Sequence, residues 1–177
     1  TLTGNALANQ VQSVGVACIV YGMDGNDTIT GGASSSIYGD NGDDALTLNG
    51  LGSFAYGGAG NDTLDARATT GNWLVGGAGD DVYVVDSANQ YILERINEGV
   101  DTIKSSVSFS LITGSRTGGG SISESLENLT LTGTTAINAT NNALDNVLMG
   151  NTAANLLLGN AGADTLIGGG GADTLNG

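Results

Sequence analysis

The chain has no histidine and no proline, a single cysteine, Cys18, and four basic residues, Arg67, Arg95, Lys104 and Arg116, against eighteen acidic ones. Each scarcity excludes a class of chemistry. Without histidine there is no Ser-His or Cys-His pair and no HExxH metal helix, and no GxSxG elbow occurs either. Glu94, Glu98, Glu124 and Glu127 are read as solvated carboxylates, because nothing in the sequence brings two of them to the separation that glycoside chemistry needs. The chain is therefore expected not to be an enzyme. A lone cysteine makes no internal disulfide. A net charge of -14 without a basic patch argues against nucleic acid and anionic membranes as partners. The longest apolar run, residues 14–21, falls far short of the ~20 residues of a membrane span, and no charged-then-apolar leader opens the chain. Missing heptads and missing helical periodicity leave an all-β reading.

What the chain has in excess is glycine, 31 residues, set out in a nine-residue stutter. It is clearest in Gly57-Gly58-Ala59-Gly60-Asn61-Asp62-Thr63-Leu64-Asp65 and Gly76-Gly77-Ala78-Gly79-Asp80-Asp81-Val82-Tyr83-Val84, and further copies open at Gly22, Gly39, Gly159 and Gly168. Six residues of glycine-rich turn ending in a carboxylate, then three with a central apolar side chain, describe half a coil of a parallel β-roll (β-solenoid) whose stacked turns hold calcium. Calcium is a hard cation that takes six to eight oxygens, and glycine accepts the dihedrals that aim backbone carbonyls inward. The sixth position falls on Asp27, Asp44, Asp62, Asp81, Asp164 and Asp173, and the inward apolar position on Ile29, Leu46, Leu64, Tyr83, Leu166 and Leu175. Ordinary turn chemistry explains one such copy well and six in register poorly. A dinucleotide fingerprint would need a strand-then-helix context, and none of these copies has one.

These repeats resemble the RTX family, the hemolysin-type calcium-binding repeats of bacterial type I-secreted proteins, with consensus GGxGxDxUx and U a large apolar residue. The resemblance implies that the sixth-position aspartates and backbone carbonyls of the turns ligate several Ca2+ ions shared between successive turns. Carried onto this chain, it adds Gly22, Asp24, Gly39, Asn41, Gly57, Ala59, Gly76 and Ala78 to the aspartates as metal-site residues. Residues 81–131, with Val82-Tyr83-Val84-Val85-Asp86 and Glu127-Asn128-Leu129-Thr130-Leu131, are similar to the spacer that recurs between repeat blocks of this family. The implied organisation is a calcium-binding roll over residues 1–84, a strand-rich spacer over 85–131 with a flexible loop at 112–123, and a second roll block over 132–177.

With two half-coils per turn, loops stack about every 18 residues, and those opening at Gly22, Gly39, Gly57 and Gly76 share one edge. Metal sites are expected between the Gly22 and Gly39 loops, the Gly39 and Gly57 loops, and the Gly57 and Gly76 loops. The intervening half-coils lack the aspartate, so the opposite edge should be poor in metal. Asp24, Asp40, Asp43 and Asp80 lie in the loaded loops and read equally as extra ligands or as solvated carboxylates. Counting back in nines places Asn9, Cys18, Asn146 and Asn155 at sixth positions of metal-free coils, with Cys18 read as a small buried apolar residue.

A shift of 137 residues superimposes Asn5-Ala6-Leu7 on Asn142-Ala143-Leu144 and Asp27-Thr28 on Asp164-Thr165. The sequence reads either as a window on a longer tandem protein or as a subunit that continues the roll head to tail with copies of itself. The leading functional expectation is a calcium-stabilised structural module of an extracellular protein: a surface adhesin, surface layer or filament. The alternative is a domain that drives calcium-dependent folding and secretion of a hydrolase or epimerase whose catalytic part lies outside the chain.

Overall fold

The computed structural model describes residues 1–13, 15–67, 69–112, 121–122 as backbone, and 125–177. Most of the loop expected at 112–123 falls outside them, as do Arg116 and Glu124. Among the described residues there is no helix, and each strand runs parallel to its partners.

The nine-residue period dictates this shape. A glycine-rich turn reverses the chain, and three or four residues such as Thr28-Ile29-Thr30 then run straight, with the central side chain inward and the flanking ones outward. Strands β2 (Gln10–Gln12), β4 (Thr28–Gly31), β6 (Ala45–Leu48), β8 (Thr63–Asp65), β10 (Val82–Val85), β12 (Thr102–Ser105), β15 (Asn128–Leu131), β17 (Val147–Met149) and β19 (Thr165–Ile167) form one nine-stranded sheet. Opposite it, β1 (Leu2–Thr3), β3 (Ile19–Asp24), β5 (Ser36–Asn41), β7 (Phe54–Ala59), β9 (Trp73–Ala78), β11 (Tyr91–Leu93) and β14 (Ser121–Ile122) form a seven-stranded sheet. A four-stranded sheet of β13 (Phe109–Ser110), β16 (Ala139–Thr140), β18 (Leu156–Leu158) and β20 (Thr174–Asn176) alternates with the nine-stranded sheet through the last coils. The protein is thus an all-β parallel solenoid.

Because the side-chain period of a strand is two, the pairing register puts like residues on like. Ile29, Leu46, Leu64, Tyr83, Ile103, Leu129 and Leu148 form one fully buried column, continued at its ends by the partly buried Val11 and Leu166. Val20, Ile37, Ala55, Leu74 and Ile92 form the facing column. Leu175, expected inward, is exposed in the last coil. The nine-stranded sheet passes through residues 85–131 without a break, since β12 pairs with β10 on one side and with β15 on the other. On the outer face of the seven-stranded sheet the aromatics stack, Tyr21 on Tyr38 at 4.9 Å and Trp73 on Tyr91 at 4.4 Å between ring centres.

Candidate metal centre

The loops that join the two main sheets along one edge carry the repeat signature. Asp24, Asn41, Ala59 and Ala78, the third residues of successive loops, stand in register, so the four loops stack as their spacing demands. The second and fourth residues of each loop have positive φ: Met23, Asp40, Gly58 and Gly77 at the second, Gly25, Gly42, Gly60 and Gly79 at the fourth. Paired reversals of this kind turn consecutive peptide groups to opposite sides. Only glycine suits the fourth position, where a Cβ on Gly60 would collide with the Gly42 carbonyl oxygen of the preceding turn.

The sixth-position side chains form a continuous hydrogen-bonded ladder. The Asn9 N–H donates to Asp27 Oδ1 at 2.7 Å, Asp27 N–H to Asp44 Oδ1 at 2.7 Å, Asp44 N–H to Asp62 Oδ1 at 2.8 Å, and Asp62 N–H to Asp81 Oδ1 at 2.7 Å. The ladder then enters the spacer. Asp81 N–H donates to Asp101 Oδ1 at 2.8 Å, and Asp101 N–H to Glu127 Oε2 at 2.8 Å. Farther along, Asn146 N–H donates to Asp164 Oδ1 at 3.1 Å, while Asn155 N–H donates to Asp173 Oδ1 at 2.9 Å. Gly159 and Gly168 open successive half-coils, which places Asp164 and Asp173 on opposite edges.

The opposite edge of the amino-terminal coils builds the same ladder from neutral side chains. Cys18 N–H donates to Ser35 Oγ, Ser35 N–H to Ser53 Oγ, Ser53 N–H to Asn72 Oδ1 and Asn72 N–H to Gln90 Oε1. Cys18 itself is half-buried in its turn, not in the core as expected; Val20 fills the core position beside it.

On the acidic edge one carboxylate oxygen is thus spent on the ladder and the other is left over. Asp27, Asp44, Asp62 and Asp81 each keep a buried Oδ2 with no hydrogen-bond partner, as does Asp164. These atoms point at the leading glycine of their own loop: a Cβ on Gly22, Gly39 or Gly57 would collide with the Oδ2 of Asp27, Asp44 or Asp62, and would lie 2.6 Å from the carbonyl oxygen of Gly39, Gly57 or Gly76 in the next loop. Each leading glycine therefore leaves open a cradle bordered by an unpartnered carboxylate oxygen and a carbonyl oxygen of the next turn. The third-position carbonyls of Asn41, Ala59 and Ala78 each accept the fourth-position N–H of the preceding loop at 2.8 Å, and a carbonyl has a second lone pair to offer.

The surrounding charges show what this edge suits. Burial, helped by neighbouring carboxylates and opposed by the ladder N–H each receives, pushes Asp44 to about 7, Asp62 to about 6 and Asp81 to about 7. A column of buried anions is costly unless a cation compensates it. Oxygen-only donors, one carboxylate per turn and flexible carbonyl-rich loops suit a hard divalent cation such as calcium. Asp43 and Asp80 are engaged differently. With Asn26 and Asn61 they form an outer ladder, in which Asp43 Oδ1 accepts the Asn61 N–H and Asp80 Oδ1 the Val100 N–H, both at 2.8 Å. Asp24 Oδ1 accepts from the exposed Asn41 amide at 2.8 Å, and Asp40 is half-buried.

Two residues of this edge escaped the sequence reading. Asp101 closes a concealed repeat whose second residue, Asn97, has φ 65, whose fourth is Gly99, and whose eighth is the buried Ile103. Glu94, expected to be solvated, is 6% exposed. Glu127 is half-buried beneath the Asp101 N–H.

Comparison with known proteins agrees with this geometry. The RTX calcium-binding nonapeptide repeat matches in four copies, over residues 21–50, 53–69, 68–82 and 140–177, which is more than half of the chain. The endo-1,3-1,4-beta-glycanases ExsH and EglC of Rhizobium meliloti (strain 1021) are 32% identical over 107 residues and 34% identical over 105 residues. Those alignments cover 60% and 59% of this chain but only 20% of each relative. No solved structure matches the chain. Its loops, its ladder of aspartates and its repeat match point the same way: the chain belongs to the RTX calcium-binding nonapeptide repeat family.

Proposed function

We propose that this chain is a calcium-dependent folding module of a longer extracellular protein, and that its acidic edge, from Asp27 to Asp101, is where the ions act. The column of buried, unpartnered Oδ2 atoms carries this reading. A chain with 31 glycines and a net charge of -14 resists ordering on entropic and electrostatic grounds. Ions bound to the folded form alone would shift that balance. At cytosolic calcium the chain stays open and fit for export; outside, millimolar calcium closes the roll. Asp27, Asp44, Asp62 and Asp81 supply the charged ligands, with backbone oxygens of the loops opened by Gly22, Gly39, Gly57 and Gly76. Asp164 and Asp173 serve the later coils.

The glycanase relatives favour a module attached to an enzyme that acts on polysaccharide, with catalysis outside this chain, over a surface adhesin, surface layer or head-to-tail filament. The structural reading rests on the 137-residue recurrence. Circular dichroism during a calcium titration tests the core of the proposal. The β signal is expected to be weak in chelator and to rise at millimolar calcium; a spectrum unchanged from chelator to about 10 mM calcium would refute it.

A further inference from the structure

Where the regular repeats give way to the spacer, the edge changes its construction. β11 pairs with β9 through Tyr91 on Trp73, Ile92 on Leu74 and Leu93 on Val75, so the register, carried one residue on, sets Glu94, which follows β11, at the level of Gly76 within β9. The next strand resumes with Thr102 on Val82. Eight residues, 94–101, therefore cover the path that six, 76–81, cover in the preceding turn. The extra length admits a side chain where the earlier loops have none.

That side chain is a carboxylate, and it turns inward. Single carboxylate oxygens of Asp81, Glu94 and Asp101 all lie within 4.8 Å of one another, and all three residues are buried. Asp81, 1% exposed, has Oδ1 committed to the Asp62 N–H, and its buried Oδ2 has no hydrogen-bond partner. Oδ2 is directed at Gly76, the residue after Val75, and Glu94 is the residue after Leu93, which pairs with Val75. The Tyr83 hydroxyl borders the same space, accepting the Gly76 N–H at 2.6 Å. A cavity of about 590 Å³ lies against Glu94, lined also by Asn97, Gly99, Ser125 and Glu127. The basic side chains described are engaged elsewhere: Arg67 pairs with Asp65, Arg95 with Glu98, and Lys104 is exposed on β12.

We propose that Asp81, Glu94 and Asp101 form a tricarboxylate calcium site, distinct in make-up from the glycine-led turns, which takes up the first ion and joins the repeats to the spacer. It rests on the reading of the edge as calcium-binding and adds to it a site with three carboxylates, Asp81 from one turn and Glu94 and Asp101 from the two ends of the next. Affinity of oxygen sites rises with the number of charged ligands, so this site fills before the turns that offer one carboxylate each. Burial and mutual repulsion, which hold Glu94 up at about 9, are what a bound cation would relieve. Filling it pins β11 and β12 against β9 and β10, so that the spacer is ordered together with the roll.

Calcium titration calorimetry on the full chain tests the site, with Asp65→Asn as a charge control outside the loops. A tight step followed by weaker ones is expected for the unmodified chain and for Asp65→Asn. Glu94→Gln should weaken the tight step by roughly tenfold or more and leave the weaker ones. Glu94→Gly, which restores the leading glycine of the other turns, guards against a folding defect: it should regain the full β signal in saturating calcium and still lack the tight step. A tight step of unchanged affinity in both Glu94 variants overturns the site while leaving calcium binding by the turns intact. Absence of calcium uptake by the unmodified chain overturns the reading on which it rests.

Discussion

Asp62 and Asp81, nineteen residues apart, are joined by a hydrogen bond from the Asp62 backbone N–H to Asp81 Oδ1 at 2.7 Å. The bond gives each sixth-position carboxylate two separable duties. Oδ1 satisfies a buried N–H of the preceding turn, and Oδ2 is left without a hydrogen-bond partner, available to the cation proposed above. Asn72 shows that an amide can perform the first duty alone, since its Oδ1 accepts the Ser53 N–H at 2.9 Å on the opposite edge.

Substitutions at Asp62 should separate the two duties. Asp62→Asn keeps an oxygen for the Asp44 N–H and is expected to fold in saturating calcium with its calcium midpoint moved upward. Asp62→Ala also leaves that buried N–H unsatisfied, at about 1–3 kcal/mol, and should lower the melting temperature even in saturating calcium. Asp65→Ala removes the ion pair with Arg67 and an exposed hydrogen bond from the Arg67 backbone N–H, and should cost about 1 kcal/mol or less. Thermal melts with a calcium titration compare all three; equal midpoints for the Asp62 and Asp65 variants would remove the register argument.

Acid should partly replace calcium. Asp44 and Asp81 titrate near 7 in the fold, and Asp62 and Asp101 near 6, all raised first by burial. A group with a raised folded pKa binds protons more tightly in the folded state, so its stabilising effect is complete below the unfolded value and lost as pH rises through the folded one. In chelator, β content is therefore expected to be higher at pH 5 than at pH 8, and calcium affinity to rise over the same interval as protons cease to compete. Circular dichroism at the two pH values checks the sign.

Glycine substitutions should divide sharply by position. Gly52 has φ 64 but open space around it, so Gly52→Ala costs only the backbone term, about 1–2 kcal/mol. Gly60 has φ 130, and its Cβ would meet the Gly42 carbonyl oxygen, so Gly60→Ala must push two turns apart. Its melting temperature in calcium should fall well below that of Gly52→Ala; comparable values would mean that the loops do not stack as closely as described.

The isolated chain is expected to release no reducing sugar from a 1,3-1,4-β-glucan, with or without calcium. The relatives that carry this activity in their names extend far beyond the matched segment. Turnover by the purified chain would place catalysis inside the roll.

The loops from Gly22 to Asp81 were legible because each nine-residue unit carries its own turn chemistry, its own carboxylate and its own core residue. No long-range information is needed to count them, and the near-18 spacing assigns them to one edge. Asp101 was less legible: its turn opens with Ile96 and Asn97 in place of a glycine pair, although Gly99, Asp101 and Ile103 hold the fourth, sixth and eighth positions. Glu94 gave no signal at all. Nothing near it in sequence marks it as buried, and it lies thirteen residues from Asp81. Only the pairing of β11 with β9 carries it into the space that Gly76 leaves.

The period of the repeat, the parallel all-β coil, the acidic edge and the neutral one follow from the sequence alone, because in a solenoid local turn chemistry repeats until it becomes the fold. Tertiary structure decided the rest. Stacking chose which oxygen of each aspartate is consumed by the ladder and which is left over, and an expanded turn brought the carboxylates at its two ends, Glu94 and Asp101, together with that of Asp81 in the turn before. Such outcomes depend on hydrogen bonds and distances between neighbouring coils, which no single repeat contains.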